Sequence, residues 1–408
     1  MFRRPAVAVA VAALLTVPTT SPLAGSAPAE RRHPSSAVLD WERTSVLTVY
    51  GPDPAAPSTP IPVGVLYLGF VSLAMHDAAQ ASSRRAWSSE TAAVAAAAHR
   101  VLRKYFPASR ADLDDALVAT LSGVPDGPAE DTGVEVGRRA GLRMIRSRVG
   151  DGRDDTTISY RKPERPGFWQ PPEGGSMLAP WLGSVDPLVL KRLVPVDGPD
   201  RLGSEAYARD YHQALRLGAV DSEERTPFQT DTARFFNSNS AIMVGEAVID
   251  LLEAEPMKLK RTARLFAVMH GAMADSIIRC WELKRDVGFW RPVQAIDGAN
   301  LDGNRDTDRP PTPWAPLIPN PPYSDYVSGH ASLTGPAVQT LRMMLGEGTH
   351  LTLHSYATGA DRAYGSLRPI ERQAFHARIW GGLHFRDAMQ DGYEMAHKTA
   401  RRVRNALR

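Results

Sequence analysis

A single cysteine, Cys280, in 408 residues leaves no possibility of an internal disulfide. A glycine-rich phosphate loop is also missing, strand-like alternation is almost absent, and no internal repeat stands out, which leaves an all-α class. Charge of one sign is lacking too: 48 basic residues face 45 acidic ones, mixed along the chain, for a formal net charge of +3, so a nucleic-acid partner is not implied. Neither apolar run, Ala6 to about Val17 or Val63 to Met75, reaches the roughly 20 residues a membrane span requires. What remains is a globular composition, 43% hydrophobic, sufficient for one large domain or two medium ones.

The first residues, MFRRPAVAVAVAALLTVPTTSPLAGSAPAE, place two arginines before an apolar stretch and a small-x-small site at Ala27-Pro28-Ala29. That pattern predicts a signal peptide over residues 1–29 and a secreted, soluble mature protein without a membrane span. Arg3-Arg4 also suits a twin-arginine route, although the flanking residues match that pattern poorly. Export without disulfides leaves stability to core area or to a tightly held ligand. Helical periodicity dominates from there on, in stretches such as LGFVSLAMHDAAQA, ETAAVAAAAHRVLRKYF, SAIMVGEAVIDLLEAE and RTARLFAVMHGAMADSIIRCWELK. The expected class is all-α: a helical bundle of two helical halves, residues 30–202 and 203–408, with long Pro/Trp-rich loops at about 150–203 and 297–326. Aromatic residues in so long a loop imply that it packs over a surface. Three helical stretches close the chain.

Three short segments in the last third carry the candidate chemistry. In KRDVGFWRP, seven residues of helix turn through about 700°, which would bring Lys284 and Arg291 onto one face, with Pro292 ending the helix at the arginine. In YVSGHASL, Ser328, Gly329 and His330 stand where a loop becomes a helix, and free amides at such a junction attract anions. In ARIWGGLHFRDA, Arg378 and His384 would diverge by about 120° on an unbroken helix, but Gly381-Gly382 can break it and return both to one place. Asp387, three residues after His384, could orient the imidazole or balance Arg386. Three cations, a hydroxyl, helix-start amides and two histidines suit a tetrahedral oxyanion of charge about −2. One histidine can bond its central atom while the other exchanges protons.

The ordered triple K-x6-RP, SGH and R-x5-H resembles the signature shared by vanadium-dependent haloperoxidases and the type 2 phosphatidic acid phosphatase/bacterial acid phosphatase superfamily. MHDAAQA, PGFWQPPEGGSMLAPWLGSVDPLVL and DGNRDTDRPPTPWAPLIPNPPYSDYVSGHAS extend the likeness to bacterial haloperoxidase-type sequences over most of residues 65 to 395. The resemblance implies vanadate as cofactor, its oxygens held by Lys284, Arg291, Arg378, Ser328 and the Gly329 amide, with His384 bonding vanadium and His330 as acid–base. Trp281 and Tyr323 would line the halide side. The implied substrates are hydrogen peroxide, a halide and an organic acceptor, and the product a hypohalous species. The superfamily also implies an alternative, an acid phosphatase in which His384 attacks phosphorus and His330 protonates the leaving group; a third possibility is a protein that holds the anion without turnover.

Departures from the family pattern are Val327 in place of a proline before the serine, Gly288 where asparagine is common, and Asp387 three rather than four residues after the ligand histidine. His76, His270 and His376 are expected to be structural. Residues 302–308, DGNRDTD, alternate oxygen side chains as a calcium loop does, but lack its glycine at position six and glutamate at twelve, and are expected to form a solvated turn.

Overall fold

The alanine run at 92–98 and three glycines at 133, 137 and 141 pack one helix directly onto another. The structure, a computed structural model, describes residues 33–310 and 312–408; the expected signal peptide lies outside them. Within Pro34–Arg408, which forms one unit, the first helices are α1 (Ser36–Tyr50), α2 (Ile61–Ser82), α3 (Glu90–Tyr105), α4 (Arg110–Leu121) and α5 (Pro128–Ser147). Gly133, Gly137 and Gly141 share one face of α5 at four-residue spacing, and a Cβ on them would meet the carbonyls of Ser89, Ala93 and Ala97. Bare glycine therefore lets α5 lie against the buried alanines of α3. Ser89 caps α3 by accepting the Ala92 amide at 3.2 Å.

The apolar run at Val63–Met75 belongs to a longer helix than its own length suggests. By length and composition α2 could cross a membrane, but 83% of its most apolar window is buried inside the protein, so it is accounted for as a core helix.

After a long loop come α6 (Glu205–Gly218), α7 (Pro227–Phe235), α8 (Ser240–Ala254), α9 (Leu259–Asp286), the short α10 (Pro292–Asp297), α11 (Ala331–Met344), α12 (Leu367–Trp380) and α13 (Arg386–Ala406). The 28-residue α9 is the axis: α2, α11 and α13 all pack along it, and most of its side chains are buried. The loop at 150–203 covers a surface as its aromatics require, with Trp169 only 4% exposed. The three closing helices are present. Between α11 and α12 the chain also forms an antiparallel hairpin, β1 (Leu351–Ser355) and β2 (Ala360–Tyr364), pairing Leu351 with Tyr364. Leu351, Leu353 and Ser355 alternate inward along β1, a period-two pattern short enough to be lost among helices.

One buried carboxylate ties the long loop to the axis. Asp275 on α9 accepts the amides of Leu188 at 2.6 Å, Val189 at 3.3 Å and Leu190 at 2.8 Å. Asp275→Ala would orphan all three, at a cost of about 2–4 kcal/mol. The thermal midpoint should fall by several degrees, and Asp275→Asn, keeping one acceptor oxygen, should recover part of the loss.

Candidate functional site

Lys284 and Arg291 do meet, but by a different route from one continuous helix face. α9 stops at Asp286, five residues before the arginine, and Gly288 takes φ +66°. That left-handed turn lets the chain pair with the long loop: the Trp169 amide donates to the Gly288 carbonyl at 2.8 Å and the Trp290 amide to Gly167 at 3.1 Å. A Cβ on Gly288 would lie 2.6 Å from the Tyr160 hydroxyl. Asparagine, common here in the resembled family, is among the few other residues that tolerate this backbone. Arg291 then enters in extended geometry, φ −89° and ψ 161°, immediately before Pro292 opens α10.

Both cations are fully buried and held by main-chain carbonyls. Lys284 Nζ donates to Ser324 at 2.7 Å and Asp325 at 2.8 Å. Arg291 Nε donates to Tyr323 and Nη1 to Leu383, each at 2.7 Å. The Tyr323 ring lies 5.0 Å from each cation and 4.9 Å from Trp281.

The SGH segment lies as its residues suggest, at the start of α11. Ser328 Oγ accepts the Ala331 amide at 3.3 Å, which leaves its own proton free to donate. Among the described residues the Gly329 and His330 amides have no acceptor, as expected of a helix start. The double glycine also acts as expected: α12 ends at Trp380, Gly382 takes φ +71°, and α13 begins at Arg386. Arg378 is 3% exposed; its Nη1 donates to Asn237 Oδ1 at 3.2 Å, while its Nε has no partner.

His384 is oriented by a residue that spacing did not reveal. Its Nδ1 pairs with Asp325 Oδ1 at 2.6 Å, both groups being buried, and Nε2 is left for a ligand. Asp387 plays neither part expected of it. In the first turn of α13 its carboxylate accepts the Asp200 amide at 3.2 Å, and Arg386 instead donates to Gln213 at 2.9 Å.

Burial dominates the electrostatics. It lowers Lys284 to about 7 and Arg378 to about 9, and raises Asp325 to about 7 against the pull of Arg291 and Lys284. His330 and His384 fall well below 6.5, first through burial and then through the neighbouring arginines. Both imidazoles are therefore neutral at pH 7. Three buried cations thus face one buried carboxylate, and the unpartnered Arg378 Nε, the Ser328 proton and the helix-start amides complete a site that fits a tetrahedral oxyanion. Beside it, Trp281, Tyr323, Gly329 and His330 line a narrow cleft together with Ile61 and Pro62.

The remaining candidates are structural. His270 Nδ1 pairs with Ser72 at 2.8 Å inside the core, His76 is buried and lowered to about 4 by burial, and His376 bonds the Arg372 carbonyl at 2.8 Å. In the 302–308 segment Asn304 donates to the Leu202 carbonyl at 2.7 Å and Thr307 to Asp302 at 2.9 Å, a self-satisfied turn. Among the described residues no cluster of three His, Cys, Asp or Glu could hold a metal ion.

Residues 264–408 match the model of the VCPO second helical-bundle domain. The vanadium chloroperoxidase of Curvularia inaequalis is 29% identical over 178 residues, covering 36% of this chain and 29% of that protein's length. A bacterial vanadium-dependent iodoperoxidase superposes with a TM-score of 0.71 at 19% identity, over 94% of this chain and 98% of the other. The holo-type structure of a bacterial vanadium-dependent chloroperoxidase gives 0.65 at 15% identity, over 88% and 93%. The fold of this chain is that of these proteins.

A tetrahedral dianion should stabilise the protein. Saturation to about 100 times Kd contributes about 2.7 kcal/mol, and sulfate should raise the thermal midpoint by several degrees in the native chain but not in Arg378→Leu. As pH rises through about 7, Lys284 and Asp325 both lose protons and the cage loses positive charge. Sulfate, whose charge is constant in this range, should therefore bind more tightly at pH 6 than at pH 8 by calorimetry.

Proposed function

We propose that this chain is an exported, vanadate-dependent haloperoxidase that uses hydrogen peroxide to oxidise a halide to a hypohalous species, which then reacts with an organic acceptor. The observation that carries this is the charge imbalance of the cage: three buried cations, one of them with a free Nε, around a histidine fixed by Asp325. The whole-length likeness in fold to vanadium-dependent peroxidases supports that branch of the superfamily. The chain spans under a third of the length of the curated relative it matches, so the activity rests on the site together with the fold.

Lys284, Arg291, Arg378, the Ser328 hydroxyl and the Gly329 amide would hold the vanadate oxygens, and His384 Nε2 would bond the metal. Bound there, vanadate supplies Lewis-acid activation of hydrogen peroxide. Burial and the neighbouring Arg378 keep His330 neutral, so only one of its ring nitrogens carries a proton. Its other nitrogen therefore carries a lone pair able to take a proton from hydrogen peroxide. Trp281 and Tyr323 wall the adjoining cleft with aromatic surface, which strips water from an entering halide.

Phosphate is nearly isosteric with vanadate, so phosphomonoester hydrolysis through His384 is the competing outcome. Vanadate-loaded protein should halogenate a dione probe with peroxide and bromide; turnover of p-nitrophenyl phosphate without halogenation would overturn the proposal. His384→Ala should abolish stable vanadium retention, measured by elemental analysis after dialysis. His330→Ala should retain the metal and lose about 10²–10⁴-fold in halogenation rate.

A further inference from the structure

The end of the bundle farthest from the cage carries charge that the site does not use. α2 and α13 both run antiparallel to α9: Lys260 Nζ donates to Ser83 at 3.2 Å, and Arg264 Nε donates to the Leu407 carbonyl at 2.9 Å. The end of α2, the start of α9 and the end of α13 therefore share one face. Residues 84–85 (RR), 258–264 (KLKRTAR) and 401–408 (RRVRNALR) bring two, four and four cations there; the segments hold no acidic side chain, although Glu90 and Glu255 flank the first two in sequence. Of 48 basic residues these ten leave 38 against 45 acidic ones, so the net charge of +3 conceals a basic end on an otherwise acidic chain.

Helix-end chemistry explains only part of this. Arg261 and Arg264 donate to carbonyls at the ends of α11 and α13. Arg84, Arg85, Lys258, Arg401 and Arg402 are exposed, and among the described residues their side chains have no hydrogen-bond or ion-pair partner. Two residues after Arg85, Trp87 is 82% exposed, in a loop at φ 59°. An open depression of mixed character, lined by Pro256, Met257 and Leu345 but also by Glu255, Thr349 and His350, reaches Arg261. Steering of anions to the cage is not the use of this face: from Lys260 to Lys284 is about 36 Å of helix, several times the roughly 8 Å Debye length at physiological salt.

We propose that this basic end docks on an anionic lipid surface, with Trp87 seated among the headgroups and the active cleft facing away from the bilayer. Unpaired cations around an exposed tryptophan suit the headgroup layer of an anionic bilayer, where phosphates and the edge of the acyl region lie side by side.

The test is co-sedimentation of the full chain with phosphatidylglycerol/phosphatidylcholine vesicles and with phosphatidylcholine alone. Binding should require the anionic lipid, be released by salt, and weaken at least ~10-fold in the Arg401→Glu/Arg402→Glu variant, at roughly fivefold per cation removed. Trp87→Ser should weaken it further, while thermal midpoints and halogenation in solution stay unchanged. Equal binding to neutral vesicles, no binding, or affinities untouched by either variant would overturn the proposal. So would retention on heparin or duplex DNA without vesicle binding, which would assign the face to a polyanionic polymer.

Discussion

Burying three cations around a single carboxylate is the constraint on which the rest of this structure depends. Removing one ion from water carries an effective penalty of several kcal/mol, and two like charges 4 Å apart at an effective dielectric of about 20 repel by about 4 kcal/mol. Lys284, Arg291 and Arg378 incur both costs, and the fall of Lys284 to about 7 and Arg378 to about 9 is the response. Asp325 offsets part of this, but its own burial raises it to about 7. A dianion among them would supply the missing negative charge, so the same burial that is costly to the cations favours a bound oxyanion.

Residue types that stay close in sequence were legible; partners brought from afar were not. The ordered triple named three cations and two histidines that the fold brings together, because each segment keeps its residues within a few positions of a helix end. Gly381-Gly382 was readable for the same reason. The identity of the carboxylate on His384 was not: local spacing favours Asp387, three residues on, whereas the partner is Asp325, 59 residues earlier. Its one available signal is position, an acid five residues before His330 in a segment that is otherwise apolar or small. The early end of α9 was equally hidden, since Gly288 breaks the helix so that Gly288 and Trp290 can meet Trp169 and Gly167, residues more than a hundred positions away. α1 and the hairpin were not singled out because each draws its stability from packing more than from its own periodicity.

The axis helix separates two kinds of electrostatics. At its C-terminal end the cations are buried, immobile and bound by carbonyls, so salt scarcely screens them. At its N-terminal end some cations cap neighbouring helix ends while others, such as Lys258, are exposed to solvent. One long helix thus keeps a permanent, directional field for chemistry apart from a screened, adjustable one, with α2, α11 and α13 holding the separation rigid.

The acceptors for Lys284 and Arg291 are the carbonyls of Tyr323, Ser324, Asp325 and Leu383. A main-chain carbonyl persists through any substitution, so the cations are anchored to a path of the backbone and not to a set of side chains. Sequence can drift at those anchoring positions while the cations stay in register, provided that the turns at Gly288 and Gly382 keep the path. A protein only 19% identical to a structural neighbour over 94% of its length can share the same fold under such an arrangement. The part of the site most resistant to mutation is then the part that no side-chain motif records.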